Sequence, residues 1–137
     1  METKVTTNYV KTAAQKIDFK TIFMLSLPKK NIASVGAIAD CTNLKTLDLS
    51  KNSLTNLSGL ERCVNLTILN ISYNKISSLT VLTPLNDLQR LEAQGNKIKD
   101  LKELPQWENL EVLYLQEFDM DGANPCCTKN YGTQAYK

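Results

Sequence analysis

The chain has 137 residues, 42% of them hydrophobic, and its 16 basic and 14 acidic side chains give a net charge of +2. This length predicts one domain, and the weak charge without a basic block gives no electrostatic footprint for direct nucleic-acid binding. The chain contains no histidine, which excludes histidine bases, histidine-dependent triads and histidine-containing metal sites.

The first 21 residues predict a helical cap. Apolar residues fall at helical spacing there, behind two threonines that could cap the helix N-terminus. The apolar residues are Val10, Ala13, Ala14 and Ile17, and the threonines are Thr6 and Thr7. The segment lacks the apolar core of a secretion signal, and no stretch approaches the roughly 20 apolar residues of a membrane helix. We therefore expect a soluble, cytoplasmic protein with no membrane partner.

From residue 22 to residue 123 the apolar residues recur every 22 positions. Two consecutive repeats align without a gap, and both have the form L-x-x-L-x-L-x-x-N-x-L/I. The aligned residues are Leu44, Leu47, Leu49, Asn52 and Leu54 in one repeat, and Leu66, Leu69, Ile71, Asn74 and Ile76 in the next. This period is typical of a leucine-rich-repeat solenoid, an α/β fold, here with about five repeats.

Each repeat contains three local signals. The L-x-L pair, as in Leu47 and Leu49, predicts a short strand with one buried face, so stacked repeats should form a parallel concave sheet. Apolar residues every third position after the asparagine predict 3₁₀ turns on the convex side. Asn52, Asn74 and Asn96 should form a ladder of amides that satisfies backbone groups, with Lys30 and Phe118 at the ladder position of the first and last turns.

The outward side chains of the five strands predict a binding surface. Equivalent residues should lie side by side in rows, and the second half of the sheet carries the residue types enriched at interface hot spots. The predicted binding residues are Asp48, Ile68, Asn70, Tyr73, Arg90, Glu92, Val112 and Tyr114. The alternative is that residues such as Ile68, Val112 and Tyr114 are strand formers tolerated on an exposed sheet.

One pair of carboxylates bears on whether the chain could be an enzyme. Asp48 and Glu92 fall in the same predicted row two repeats apart, about 10 Å from each other, which approaches the separation of paired carboxylates in inverting glycosidases. An open, shallow sheet offers no pocket to raise a carboxylate pKa. We therefore predict no enzyme activity, no metal and no cofactor.

The cysteines are predicted to be thiols. Cys41 and Cys63 are 22 residues apart and equivalent to Leu85 and Trp107, which places all four in the convex core. Cys126 and Cys127 are adjacent, a spacing that suits neither zinc ligands nor the flanking disulfides of secreted repeat proteins. The cysteine pattern thus favours an intracellular protein.

The helix, the repeat, and the sequence Asn124-Pro125-Cys126-Cys127 followed by Tyr131 resemble the small intracellular leucine-rich-repeat family. A protein phosphatase 1 regulatory subunit, the spliceosomal A-prime protein and the axonemal dynein light chain 1 typify it. In that family the C-terminal cap continues further, so the resemblance implies that residues 124–137 are a truncated cap. The chain is then a fragment or splice form, or a partner or second copy covers this edge by self-association.

The resemblance implies a scaffold whose members bind unrelated partners. Together with the strand rows, it predicts a noncatalytic protein-protein interaction adaptor that binds a protein partner on the concave face. The alternatives are a ribonucleoprotein component, or a structural subunit of a cytoskeletal or ciliary complex. Each alternative also changes the expected compartment, to the nucleus, the cytoskeleton or the cilium.

Overall fold

The fold is a leucine-rich-repeat solenoid, as the period predicts. A computed structural model describes residues 2–115 and residue 124. These form one α-helix and a five-stranded parallel sheet in the order β1-β2-β3-β4-β5. The elements are α1 (Thr7–Ala14), β1 (Met24–Ser26), β2 (Thr46–Asp48), β3 (Ile68–Asn70), β4 (Arg90–Glu92) and β5 (Val112–Tyr114). Each residue of β1 to β4 pairs with the residue 22 positions further on, in the next strand.

Short 3₁₀ turns form the convex side, as the period-three spacing predicts. They are Phe19–Thr21, Gly36–Asp40, Leu60–Arg62, Thr80–Leu82 and Leu101–Glu103. Between these turns and the sheet lies one continuous apolar core, in which the central strand leucines Leu47, Leu69 and Leu91 are completely buried. No helix within the described ranges is long and apolar enough to cross a membrane.

The asparagine ladder is present. Asn74 donates from Nδ2 to the carbonyls of Leu49 and Ile71, both at 3.0 Å, and to that of Ser72 at 3.2 Å. Its Oδ1 accepts from the N–H of Leu54 at 2.9 Å. One amide thus satisfies backbone groups of two neighbouring repeats, which a buried irregular turn requires.

The last rung of the ladder is Asn124. Its Nδ2 donates to the carbonyls of Ala93 at 2.7 Å and Leu115 at 2.8 Å, and its Oδ1 accepts from the N–H of Ile98 at 3.0 Å. The prediction that the ladder position of the last turn falls at residue 118 was wrong, because Asn124 makes these bonds. Asn124 lies six residues later, so the final turn departs from the 22-residue period. Phe118 itself lies outside the described residues.

The N-terminal segment covers the first repeat. Thr6 caps α1 by accepting from the N–H of Tyr9 at 3.2 Å, and Val10 is completely buried against the core. The helix ends at Ala14, and Gln15 takes the left-handed conformation with φ 56°. Ile17, expected on the apolar face of the helix, is therefore 89% exposed instead. The proposed division at residues 21 and 123 stays a prediction.

The predicted convex core residues are buried. Cys41, Cys63 and Leu85 are completely inaccessible, and Trp107 is 3% exposed, with its Nε1 donating to the carbonyl of Leu82 at 2.8 Å. Cys41 and Cys63 are free thiols. Cys126, Cys127 and Tyr131 lie outside the described residues.

Candidate interaction surface

The concave face carries the predicted rows of side chains. Pairing of the strands sets Arg90 beside Ile68 and Val112, and sets Glu92 beside Asn70 and Tyr114. The central residue of each strand is buried, whereas Arg90, Glu92, Val112 and Tyr114 are partly accessible and Ile68 is 38% exposed. The candidate residues of β3, β4 and β5 therefore share one continuous surface.

Arg90, Glu92 and Tyr114 form the best-defined cluster on this surface. The guanidinium carbon of Arg90 lies 4.9 Å from the centre of the Tyr114 ring, within the range of a cation–π contact. The Nε of Arg90 lies 3.6 Å from Oε2 of Glu92, with the two side chains 41% and 24% exposed. The ring and the carboxylate hold the guanidinium in place and leave part of it open to solvent. A held side chain loses less conformational entropy when a partner binds.

Tyr73 extends the surface at the end where the strands lead into the convex turns. It has a left-handed backbone with φ 57°, and the Nζ of Lys51 lies 5.9 Å from the centre of its ring. The ring also packs on the backbone of Gly95, where a Cβ atom would lie 2.5 Å from the ring carbon Cδ1. Because Gly95 has no side chain, the ring of Tyr73 can occupy this space.

Asp48 and Asn70 are tied into local turns. Oδ1 of Asp48 accepts from the N–H of Ser50 at 2.9 Å. Oδ1 of Asn70 accepts from both the N–H and the hydroxyl of Ser72, at 3.0 and 2.7 Å. Their first role is therefore to shape the ends of β2 and β3. Asp48 and Glu92 are separated by β3 on the open face and do not form a carboxylate pair with a common pocket.

The opposite end of the sheet carries exposed apolar residues that the sequence interpretation left out of the site. Phe23 is 53% exposed and Met24 is 71% exposed. The sequence alone could have singled out Phe23, because the equivalent position is polar in each of the other four repeats. Those equivalents are Lys45, Thr67, Gln89 and Glu111.

The part of the chain that the structure describes offers no ligand set for a metal. No group of three or more Cys, Asp or Glu side chains lies close enough together within residues 2–115 and 124. The concave surface presents arginine, aromatic and aliphatic side chains. Such a composition matches the buried centres of protein interfaces.

Comparisons with known proteins agree with this architecture. Residues 42–84 match the family model described as leucine rich repeats, two copies. Internalin inlF from Listeria monocytogenes superposes with a TM-score of 0.70 at 27% identity, over 84% of this chain and 39% of that protein. Internalin C2, inlC2, from the same organism superposes with a TM-score of 0.52 at 21% identity, over 78% of this chain and 80% of that one.

The chain thus spans well under half the length of internalin inlF. The likeness to internalin C2, at 21% identity, shows the fold alone. A comparison with curated proteins gave no match. Residues 42–84 therefore match the leucine-rich-repeat family, and over most of its length the chain is similar in structure to internalin repeats.

Proposed function

We propose that this chain is a noncatalytic protein-binding module whose partner docks on the concave sheet over Arg90, Glu92, Val112 and Tyr114. The observation that supports it most is the contact of Arg90 with the Tyr114 ring at 4.9 Å. Arginine and tyrosine are among the residues most enriched at positions where truncation weakens binding strongly. Here they are partly accessible and in contact with each other.

Chemistry of the cluster also indicates what the partner presents. The guanidinium has five N–H donors, of which the Nε group faces Glu92 at 3.6 Å. The remaining donors suit a carboxylate or a backbone carbonyl of the partner, and Val112 and Ile68 beside Arg90 suit an apolar side chain. A partner segment with an apolar residue next to an acidic one would therefore match both the guanidinium donors and the apolar side chains.

Affinity capture from cell extract tests the proposal. The wild-type chain is compared with the Arg90→Ala, Tyr114→Ala double variant, and the bound proteins and RNA are both identified. We expect a partner that the double variant loses, with the thermal midpoint nearly unchanged, because both side chains lie on the surface. Arg62→Ala is the matched control, since Arg62 is an exposed arginine paired with Asp40 on the convex side.

Three outcomes would contradict the proposal. Equal recovery of the same proteins by wild type and double variant would move the binding site elsewhere on the molecule. Loss with Arg62→Ala as well would indicate nonspecific charge contacts. RNA retained in a salt-dependent way would favour the ribonucleoprotein alternative.

The intracellular setting is part of the same proposal. The thiols of Cys41 and Cys63 are free, which fits a reducing compartment. A specific assignment among phosphatase, spliceosomal or ciliary complexes follows from the identity of the captured partner.

A further inference from the structure

Strand β1 is the open edge of the sheet. It pairs with β2 on one side, and it is the first strand in the sheet order. The carbonyl of Phe23 accepts from the N–H of Thr46, and the N–H of Leu27 donates to the carbonyl of Asp48. Backbone groups of successive strand residues alternate in direction, so those of Met24 and Ser26 point away from β2. Within the described residues, no hydrogen bond outside the β1–β2 pair uses them.

An open edge is normally protected. Proteins place charges, prolines, bulges or a covering segment at such edges, because free N–H and C=O groups pair readily with another chain. Here the end of α1 lies beside β1, yet the edge residues are apolar and exposed, with Met24 at 71% and Phe23 at 53%. Ile22 and Leu25, which flank them in the chain, are buried in the core. The edge therefore has the chemistry of a binding site.

Space for a further strand is present next to β1. A groove of about 310 Å³ is lined by Ala14, Lys16, Phe23 and Met24 among others. A second groove of about 480 Å³ is lined by Ala13, Ala14, Met24 and Ser26 and extends to Thr46 and Asp48 of β2. The two grooves share Ala14 and Met24 and are therefore adjacent. The alanines at the end of α1 have short side chains and leave room for a backbone to approach.

The charge next to this edge is basic. Lys16 lines the first groove, is exposed, and makes no ion pair within the described chain. Lys45 is exposed one strand further in, and its N–H donates to the carbonyl of Phe23 at 2.8 Å. The nearest carboxylate on the sheet, that of Asp48, lines the second groove and accepts from the N–H of Ser50. A ligand next to Phe23 therefore meets apolar surface and the exposed side chain of Lys16, which no ion pair of the described residues neutralises.

We propose that β1 accepts an extended segment of a partner protein as a sixth strand, with apolar side chains against Phe23 and Met24 and a carboxylate near Lys16. The N–H and C=O groups of Met24 and Ser26 supply the backbone hydrogen bonds, as in other cases where a peptide adds to a sheet edge. This surface is separate from the concave cluster of Arg90 and Tyr114, from which it is separated by β2 and β3.

The test is a selection from a displayed library of random peptides of about ten residues, enough to span a strand. The full chain is the bait, and each enriched peptide is then synthesised. Its affinity is measured for wild type, Met24→Pro and Phe23→Lys. Proline removes one edge N–H and fills the groove but leaves the β1–β2 bonds, because Pro is tolerated when its nitrogen faces outward from an edge strand. Phe23→Lys places at this position the residue that Lys45 provides in the next repeat.

We expect enriched peptides in which apolar residues alternate with others and at least one residue is acidic. Both variants should bind them at least about tenfold more weakly, since each removes a hydrogen bond or an apolar contact. On binding, the amides of Met24 and Ser26 should exchange more slowly with solvent. Val64→Lys is the control for loss of an exposed apolar residue, because Val64 is 46% exposed away from the sheet. It should leave affinity unchanged, as should Arg90→Ala with Tyr114→Ala.

Several results would overturn the proposal. One is equal affinity of the enriched peptides for wild type and for a folded Met24→Pro variant. Another is loss of binding with Arg90→Ala and Tyr114→Ala, which would assign the peptides to the concave cluster. A third is capture of the chain by vesicles containing phosphatidylserine that is lost with Phe23→Lys but not with Met24→Pro, which would identify the apolar patch as a lipid contact. A thermal midpoint for each variant separates unfolding from loss of binding.

Discussion

Cys41 and Cys63 are two buried thiols of the convex core whose pKa values are shifted by their surroundings. Burial raises the pKa of the Cys41 thiol from 9.0 to about 11, with the negative charge of Asp40 adding to the effect. Burial and the neighbouring Cys41 raise the pKa of Cys63 to about 12. The Sγ of Cys63 donates to the carbonyl of Ile38 at 3.6 Å. Both residues therefore behave as small apolar groups at neutral pH.

These two thiols should make stability depend on pH in the alkaline range. In the unfolded chain they lose their protons near pH 9, whereas in the folded chain they keep them until about pH 11 to 12. Their contribution to the free energy of unfolding is therefore fully present below pH 9 and is lost as pH rises toward 12. Denaturant titrations at pH 8 and pH 10.5, in ~0.1 M salt, would measure the loss.

The control is the Cys41→Ala, Cys63→Ala variant, which keeps every other titrating group. It should be less stable than wild type at pH 8, because it leaves cavities in the core. The difference between the two proteins should shrink as pH rises. Parallel pH curves for wild type and variant would contradict the raised pKa values.

At the scale of the repeat, one backbone position determines how the chain leaves the sheet. Lys29, Lys51, Tyr73 and Gly95 are equivalent in four consecutive repeats and have φ of 54°, 57°, 57° and 74°. The left-handed conformation is unfavourable for residues with a Cβ and free of that penalty for glycine. Only the fourth of these repeats uses the residue best suited to the turn.

Replacing Lys29 by glycine should therefore stabilise the protein. Relief of the left-handed strain, partly offset by the greater flexibility of glycine in the unfolded chain, should raise the free energy of unfolding by up to about 1 kcal/mol. Lys29 is exposed, so little packing is lost. Lys30→Gly is the matched control, since Lys30 has no positive φ, and it should destabilise. A loss of stability with Lys29→Gly, measured by urea denaturation, would contradict this account.

The sequence predicted the strands and their register because a fixed period of 22 residues places every residue of one repeat beside its equivalent in the next. Once Leu47 and Leu69 occupy the same place in successive turns, Thr46 must face Ile68 and Arg90 must follow, as the structure has it. The rung at Asn124 could not be predicted in the same way. Its position breaks the period by six residues, so only its hydrogen bonds to Ala93 and Leu115 identify it.

For the candidate site, the pattern predicted neighbours but not orientations. The row order placed Tyr114 and Arg90 close together, and the structure adds the contact of guanidinium with ring at 4.9 Å. The local hydrogen bond of Asp48 to Ser50 depends on side-chain direction, which spacing alone leaves open. Ile17 was misplaced because its helical spacing continues past the end of α1, where Gln15 turns the chain.

For the whole molecule, the ladder joins neighbouring repeats and no others. The carbonyl of Ile71 accepts from Asn74 at 3.0 Å and from Asn96 at 2.9 Å. Asn124 is one rung further on, and its donors reach Ala93 and Leu115 instead. Asn74 and Asn96 thus share an acceptor, whereas Asn74 and Asn124 share none. In a solenoid, stability should add up from each repeat and its contacts with the next.

Alanine substitutions of Asn74, Asn96 and Asn124 should show that coupling is confined to neighbouring repeats. Each single substitution should destabilise by about 1 to 3 kcal/mol, because buried backbone groups lose their partners. Asn74→Ala with Asn96→Ala should cost at least about 0.5 kcal/mol more than the sum of the two, since the carbonyl of Ile71 keeps one donor in each single variant and none in the double. Asn74→Ala with Asn124→Ala should be additive within about 0.5 kcal/mol.

Urea denaturation of the five variants and wild type provides both cycles under one set of conditions. Equal coupling in the two pairs would mean that the ladder acts as one unit along the whole solenoid. Coupling confined to Asn74 and Asn96 would mean that each rung communicates only through the carbonyl it shares. Because the surface of Arg90 and Tyr114 and the edge of β1 lie at different repeats, the second result would also let one partner bind without changing the other site.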